Sequence, residues 1–153
     1  MATILLPPDF KEFLQLLNTY EVEYLLIGGY AVGYHGYPRT TGDMDIWIAS
    51  TAANAEKLLA VLADFGFGAT GATVELLQQP NMVIRMGNPP LRIELLTTLS
   101  GVDFATCYAA RVTDNLDGIA VPIINLKHLK RNKRASGRLK DLNDLQNLPE
   151  EGA

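Results

Sequence analysis

Residues Gly28–Ile48 read GGYAVGYHGYPRTTGDMDIWI, and this stretch decides the fold. The apolar run Tyr24-Leu25-Leu26-Ile27 enters it as a predicted β-strand and stops at Gly28-Gly29; a second predicted strand leaves it carrying Asp43 and Asp45. Successive side chains of a strand point to opposite faces, so Asp43, Asp45 and Trp47 share one face and Met44, Ile46 and Ile48 the other. The apolar set suits a core. Two carboxylates on one face with no basic residue between them repel each other, and a divalent cation relieves that repulsion. Mg²⁺ prefers oxygen ligands and is commonly held by one or two carboxylates together with substrate phosphates.

Gly28 and Gly29 lack a Cβ, so a ligand can approach the backbone closely there. A short helix over Tyr30–His35 would aim its first N–H groups at an anion. Between this helix and the aspartates, Arg39 reads equally as a surface residue or as a phosphate contact, and Thr40 and Thr41 equally as turn formers or as functional groups.

Working outward, Asp9 with Glu12 three residues on resembles a capping box. Phe10, Phe13, Leu14 and Leu17 then recur at helical spacing and predict a helix from about Asp9 to Tyr20. Ser50-Thr51 starts a second helix, whose apolar face is Leu58, Leu59, Leu62 and Phe65 and which stops at Gly66. Residues 67–79 form a loop with a short helix around Val74–Leu77. Met82–Met86 and Leu91–Leu96 flank Gly87-Asn88-Pro89-Pro90 and predict a hairpin. In its second strand Glu94 shares a face with Arg92 and Leu96. It either pairs with Arg92 or Arg85 on a solvated face or belongs to the site.

Val102–Ala110 predicts a helix with Val102, Ala105 and Ala109 on one side. A second hairpin follows, with strand 111–113, a turn at 114–118 and strand 119–124; Pro122 places this hairpin at a sheet edge. Asn125 caps a basic helix, residues 126–136, that Gly137 ends. A last helix from Arg138 docks through Leu142, Leu145 and Leu148.

The chain has 153 residues, of which 48% are hydrophobic, enough for one domain (1–153) with a true core. The expected class is mixed α/β, a short twisted sheet of about four to six strands with helices mainly on one face. No apolar run is long enough for a membrane span, the first residues lack a signal peptide's charged start, and a cytoplasmic location is expected. The lone Cys107 reads as a small buried residue. Net charge is −4, but residues 1–126 hold 6 basic and 13 acidic residues whereas residues 127–140 hold 7 basic and none acidic. The segment 127–140, within a basic C-terminal helical segment at 125–148, is therefore a candidate anion-facing surface. The acidic body argues against binding extended duplex DNA.

Gly28-Gly29, followed about a dozen residues later by Asp43-Met44-Asp45, resembles the motif of the nucleotidyltransferase superfamily that includes DNA polymerase β. Ile93-Glu94-Leu95-Leu96-Thr97 resembles the context of that family's third carboxylate, with glutamate where the small bacterial relatives have aspartate. Arg138 to Leu145 matches the Arg-x-Lys-Asp-x-x-Asp-Leu motif of AbiE-type toxin components. The resemblance implies a nucleotidyltransferase fold and Mg²⁺- (or Mn²⁺-) dependent transfer of a nucleoside monophosphate from an NTP such as ATP. The acceptor hydroxyl would lie on an RNA or tRNA end or on a protein, and an antitoxin or partner subunit would accompany a toxin role. It implies Asp43, Asp45 and Glu94 as catalytic metal ligands, and Gly28, Gly29, Tyr30, Arg39, Lys133, Arg138, Lys140 and Asp141 as the nucleotide-binding set. Tyr30 stands where many relatives carry serine or threonine. Tyr30 and Glu94 also allow the alternative of an NTP-binding module that has lost turnover.

Overall fold

The computed structural model describes residues 4–38, 41–68, 71–88 and 90–150. The chain runs through helix α1 (Pro8–Thr19), strand β1 (Tyr24–Ile27), helix α2 (Gly28–Tyr34), strand β2 (Asp43–Ile48), helix α3 (Ala52–Asp64) and the single turn α4 (Val74–Leu77). Strands β3 (Val83–Met86) and β4 (Arg92–Leu96), helix α5 (Phe104–Ala109), strands β5 (Val112–Leu116) and β6 (Ile119–Ile123), and helices α6 (Leu126–Ser136) and α7 (Leu139–Asn147) complete it. Among the described residues the six strands form one mixed sheet in the order β3-β4-β2-β1-β6-β5.

Strand β1 is buried along its whole length, which explains why it reads as an unbroken apolar run rather than an alternating one. β2 lies antiparallel to β1 and parallel to β4, and β3 closes that side as the antiparallel partner of β4. The register puts Met44 beside Ile93 and Ile46 beside Leu95 on one face, all buried. On this face Phe10 of α1 and Phe65 at the end of α3 gather with Met86 and Ile93. Phe13 and Phe65 meet edge to face at 5.0 Å. The opposite face carries Asp43, Asp45 and Trp47, and Trp47 is covered by Phe104 of α5.

Several local expectations change. Helix α1 starts at Pro8 with Pro7 as N-cap and no side-chain cap, because a proline at the first helical position already has a helical φ and no N–H to satisfy. The capping box at Asp9 does not form. In α5 the lone cysteine, Cys107, is buried as expected, and the side carrying Ala105 and Ala109 is exposed. Burial pushes the Cys107 thiol up to about 11. Strand β5 extends to Leu116, leaving Asp117-Gly118 as a two-residue turn with both φ values positive (52° and 88°), as tight hairpins demand. The hairpin borders the sheet, but β5 is the outer strand. β6, which carries Pro122, meets β1 at the single registered pair Leu26–Ile123.

Helix α6 begins at Asn125, whose side chain accepts the His128 N–H, and ends at Gly137 in the left-handed region (φ 66°). Helix α7 turns out differently from the leucine pattern. Leu142 is 44% exposed; the buried positions of the helix are Asp141 and Asp144, with Leu148 just beyond it. Among the described residues no helix is long and apolar enough to cross a membrane.

Candidate active site

The hydrogen-bond register assembles the site. Ile27 of β1 pairs with Asp45 of β2, Asp45 with Glu94 of β4, and Glu94 with Arg85 of β3, so these four side chains form one row across one face of the sheet. One step along, Asp43 pairs with Arg92. Two acids and two arginines thus alternate beside Asp45.

The arginines are engaged. Arg92 holds Asp43 in a fork, Nε donating to Oδ1 at 3.3 Å and Nη2 to Oδ2 at 3.2 Å, and the same Nη2 lies 4.0 Å from Glu94 Oε1. Arg85 Nε donates to Glu94 Oε1 at 3.1 Å. Asp45 has no such partner among the described residues. Its Oδ1 is buried without a hydrogen bond among the described residues. Burial first, then the neighbouring charges of Glu94 and Asp43, push its pKa up to about 6, with Lys140 opposing.

Gly28 locks Asp45 in place. Its φ is +66°, a conformation that side chains with a Cβ rarely adopt, and a Cβ there would overlap Asp45 Oδ2. Gly29 is equally confined, by the side chain of Thr41, whose Oγ1 donates to the Asp43 carbonyl at 3.1 Å.

A cavity of about 830 Å³ opens on this face. Gly28, Gly29, Asp43, Asp45 and Glu94 line one wall, and Lys133, Arg138, Lys140 and Asp141 of the α6–α7 region line another. The fold therefore brings to one cavity nearly all the residues predicted from sequence. Two are exceptions. Arg39 lies outside the described residues. Tyr30 is turned away from the cavity; its ring meets Phe10 edge to face at 5.9 Å, because on helix α2 that position faces α1.

Lys133 sits in the wall, but its charge is already met. Nζ donates to Asp141 Oδ1 at 2.9 Å and lies 3.1 Å from Asp144 Oδ2, and the three side chains are at most 5% exposed. Ser136 Oγ and Arg138 Nε both donate to Asp141 Oδ2, the latter at 2.8 Å. Burial alone would raise the Asp141 pKa. The bonds from Ser136, Lys133 and Arg138 outweigh it and hold the carboxyl well below its usual range. The cluster clamps α7 to α6, so Lys133 and Asp141 serve the wall's structure. Lys140 and Arg138 are the more exposed cations of the wall.

Sequence reasoning missed Arg92 as a partner of Asp43 and Ser136 as part of the cavity; Thr41, left open between turn former and functional group, lines it. For Arg92 a signal existed: it stands two residues before Glu94 and so on the same strand face. Its pairing with Asp43 depends on the strand register and was not legible.

The donor set suits a hard divalent cation in charge and chemistry, since Asp45 Oδ1 is unpartnered and three carboxylates share one wall. Among the described residues, however, no three His, Cys, Asp or Glu side chains converge as a ready ligand set, for Asp43 and Glu94 are turned to their arginines.

No family profile and no curated relative matches the chain. Solved structures do. A Thermotoga maritima protein described as a nucleotidyltransferase aligns over 94% of each chain with a TM-score of 0.60 at 12% identity. The chain has the nucleotidyltransferase fold. A lincosamide antibiotic adenylyltransferase with lincomycin bound is similar over 95% of this chain and 97% of its own, with a TM-score of 0.54 at 15% identity. An antigenic nucleotidyltransferase-like protein from Paracoccidioides brasiliensis is similar over 91% and 73%, with a TM-score of 0.53 at 21% identity. Within this fold the paired strands β2 and β4 and the glycine turn between β1 and α2 are the framework on which the carboxylates are displayed.

Proposed function

We propose that the protein is a Mg²⁺-dependent nucleotidyltransferase that moves a nucleoside monophosphate from an NTP to an acceptor hydroxyl. The observation that carries this reading is the in-register pair Asp45–Glu94 with Asp43 beside it, in a cavity that Arg138 and Lys140 also line. Asp45 and Glu94, with Asp43 adjacent, would hold the ion, which supplies charge neutralisation where the triphosphate and the reacting oxygens meet.

The chain's own groups do the rest. Gly28 and Gly29 line the cavity that would receive the triphosphate, and Arg138 and Lys140 offset the charge of the departing pyrophosphate. The acceptor oxygen attacks the α-phosphorus, the bond to the bridging oxygen of the β-phosphate breaks, and the hydroxyl proton passes to the Glu94 carboxylate. The acceptor is an RNA or tRNA end or a protein hydroxyl. A role as the toxin of a toxin–antitoxin pair is the narrower form of this proposal and rests on the motif from Arg138 to Leu145.

A second reading, an NTP-binding module without turnover, is favoured by one observation: Asp43 and Glu94 are both occupied by arginines. One experiment separates the two. Incubation with Mg²⁺ and NTPs labelled at the α- or the γ-phosphate, with total tRNA, the protein itself or a small hydroxylated molecule as acceptor, is expected to transfer only the α label and to lose transfer in Asp45→Ala. Transfer of the γ label would indicate phosphoryl transfer instead. NTP binding with no transfer to any acceptor would favour the module.

A further inference from the structure

We infer that Arg92 serves as a built-in cation at this site, so that the site takes one divalent ion, between Asp45 and Glu94, where a two-ion site would use Asp43 as well. This inference rests on the metal-dependent reading above.

The position is set by the backbone. Arg92 is the registered partner of Asp43 on the parallel strand, and its N–H donates to the Gly42 carbonyl at 3.2 Å, so the guanidinium starts beside the carboxylate. Both Asp43 oxygens receive a guanidinium N–H. A planar guanidinium matches a carboxylate in this two-point geometry and stays charged at every accessible pH. The same group reaches toward Glu94, with Nη2 at 4.0 Å from Oε1, and so occupies the space between the first and third acids. Asp45 has no arginine paired with it among the described residues; Lys140 acts on it only through its charge, and its Oδ1 is buried with no hydrogen bond among those residues.

The charge count agrees. Three carboxylates bring three negative charges, and Arg85 and Arg92 return two of them. One divalent ion then leaves this sheet face with a single positive charge before Lys140 is counted, and a second would raise that to three. A second ion would sit within direct reach of a guanidinium and add like charge to like. Arg92 is thus a positioning residue: it fixes Asp43 and limits the ion count without itself entering the transfer.

Mn²⁺ uptake tests this, followed by electron paramagnetic resonance and calorimetry with and without α,β-methylene-ATP as a non-reacting nucleotide. The expected result is one Mn²⁺ per chain in the nucleotide complex, and a second in Arg92→Gln. Asp43→Asn is expected to keep one ion with affinity within about tenfold of the parent, and Asp45→Asn to take up none. Two ions in the parent, loss of uptake in Asp43→Asn as complete as in Asp45→Asn, or an Arg92→Gln chain that folds yet still holds a single ion would each overturn the inference while leaving the metal-dependent reading intact. No Mn²⁺ uptake by the parent under either condition would overturn both. Asp43→Asn, which removes the acid and spares the arginine, keeps the test decisive if Arg92→Gln fails to fold.

Discussion

The backbone of Gly28 packs directly on the carboxylate of Asp45: a Cβ at residue 28 would overlap Asp45 Oδ2. The glycine turn and the acid therefore constitute one unit, although seventeen positions separate them in the chain. Gly28→Ala must both accept a left-handed φ and displace Asp45. We expect it to lose about 2 kcal/mol of stability, the scale of a Cβ residue forced into that conformation, and to lose nucleotidyl transfer as well. Chemical denaturation alongside the α-label assay checks this. A Gly28→Ala chain with parental stability and rate would show that the contact does not position the acid.

Asp45 is a costly residue for the ion-free fold, since it is buried beside Glu94 and Asp43 and its Oδ1 has no hydrogen bond among the described residues. Asp45→Asn keeps the shape and removes the repulsion. It should raise the stability of the ion-free protein at pH 8 by about 1 kcal/mol, the trade commonly found when a functional site is neutralised, while abolishing transfer. Thermal unfolding in the presence of a chelator is the measurement; a destabilised variant would mean that the charge is better compensated than its partners indicate.

Lys133 is engaged by buried acids, and Leu142 is exposed where the leucine pattern places it against the domain. Lys133→Met would leave Asp141 and Asp144 buried without their shared cation. The expected cost is about 3–5 kcal/mol, typical of breaking a buried pair on one side. Leu142→Ala, at a 44% exposed position, should fall within about 0.5 kcal/mol of the parent. Urea denaturation of both variants decides whether α7 is held by the ion cluster or by its leucines.

The Asp141 cluster also sets a pH dependence. The carboxyl is held below its usual range in the folded chain, so folding is favoured by its ionised form. The sign follows: its contribution is full above the unfolded-state value of about 4 and is lost as pH falls below that. Unfolding midpoints measured from pH 7 down to pH 2 should fall below about pH 4 in the parent. Asp141→Asn, less stable at neutral pH, should lose part of that slope.

The order of elements was legible because local rules act over short distances. Alternation in 43–48, the caps at Thr51 and Asn125 and the stop at Gly137 each depend on neighbours within a few residues, and the structure keeps them. The same locality misled where a contact came from elsewhere. Leu142 fits a helical apolar stripe, yet Lys133 eight positions from Asp141 offers that helix a stronger reason to turn its acids inward. Tyr30 follows the glycine pair in sequence and still points to Phe10 of α1.

For the site, the sequence alone determined that Asp43 and Asp45 share a strand face and that glycines precede them, since both follow from the two-residue period of a strand and from residue identity. Tertiary structure decided the rest: that Glu94 stands abreast of Asp45, that Arg92 stands against Asp43, and that the basic helix joins the lining of the same cavity. The physical reason is that strand register and helix docking are settled by the summed packing of the whole core, in which no residue's own neighbours along the chain specify which distant residue it will face.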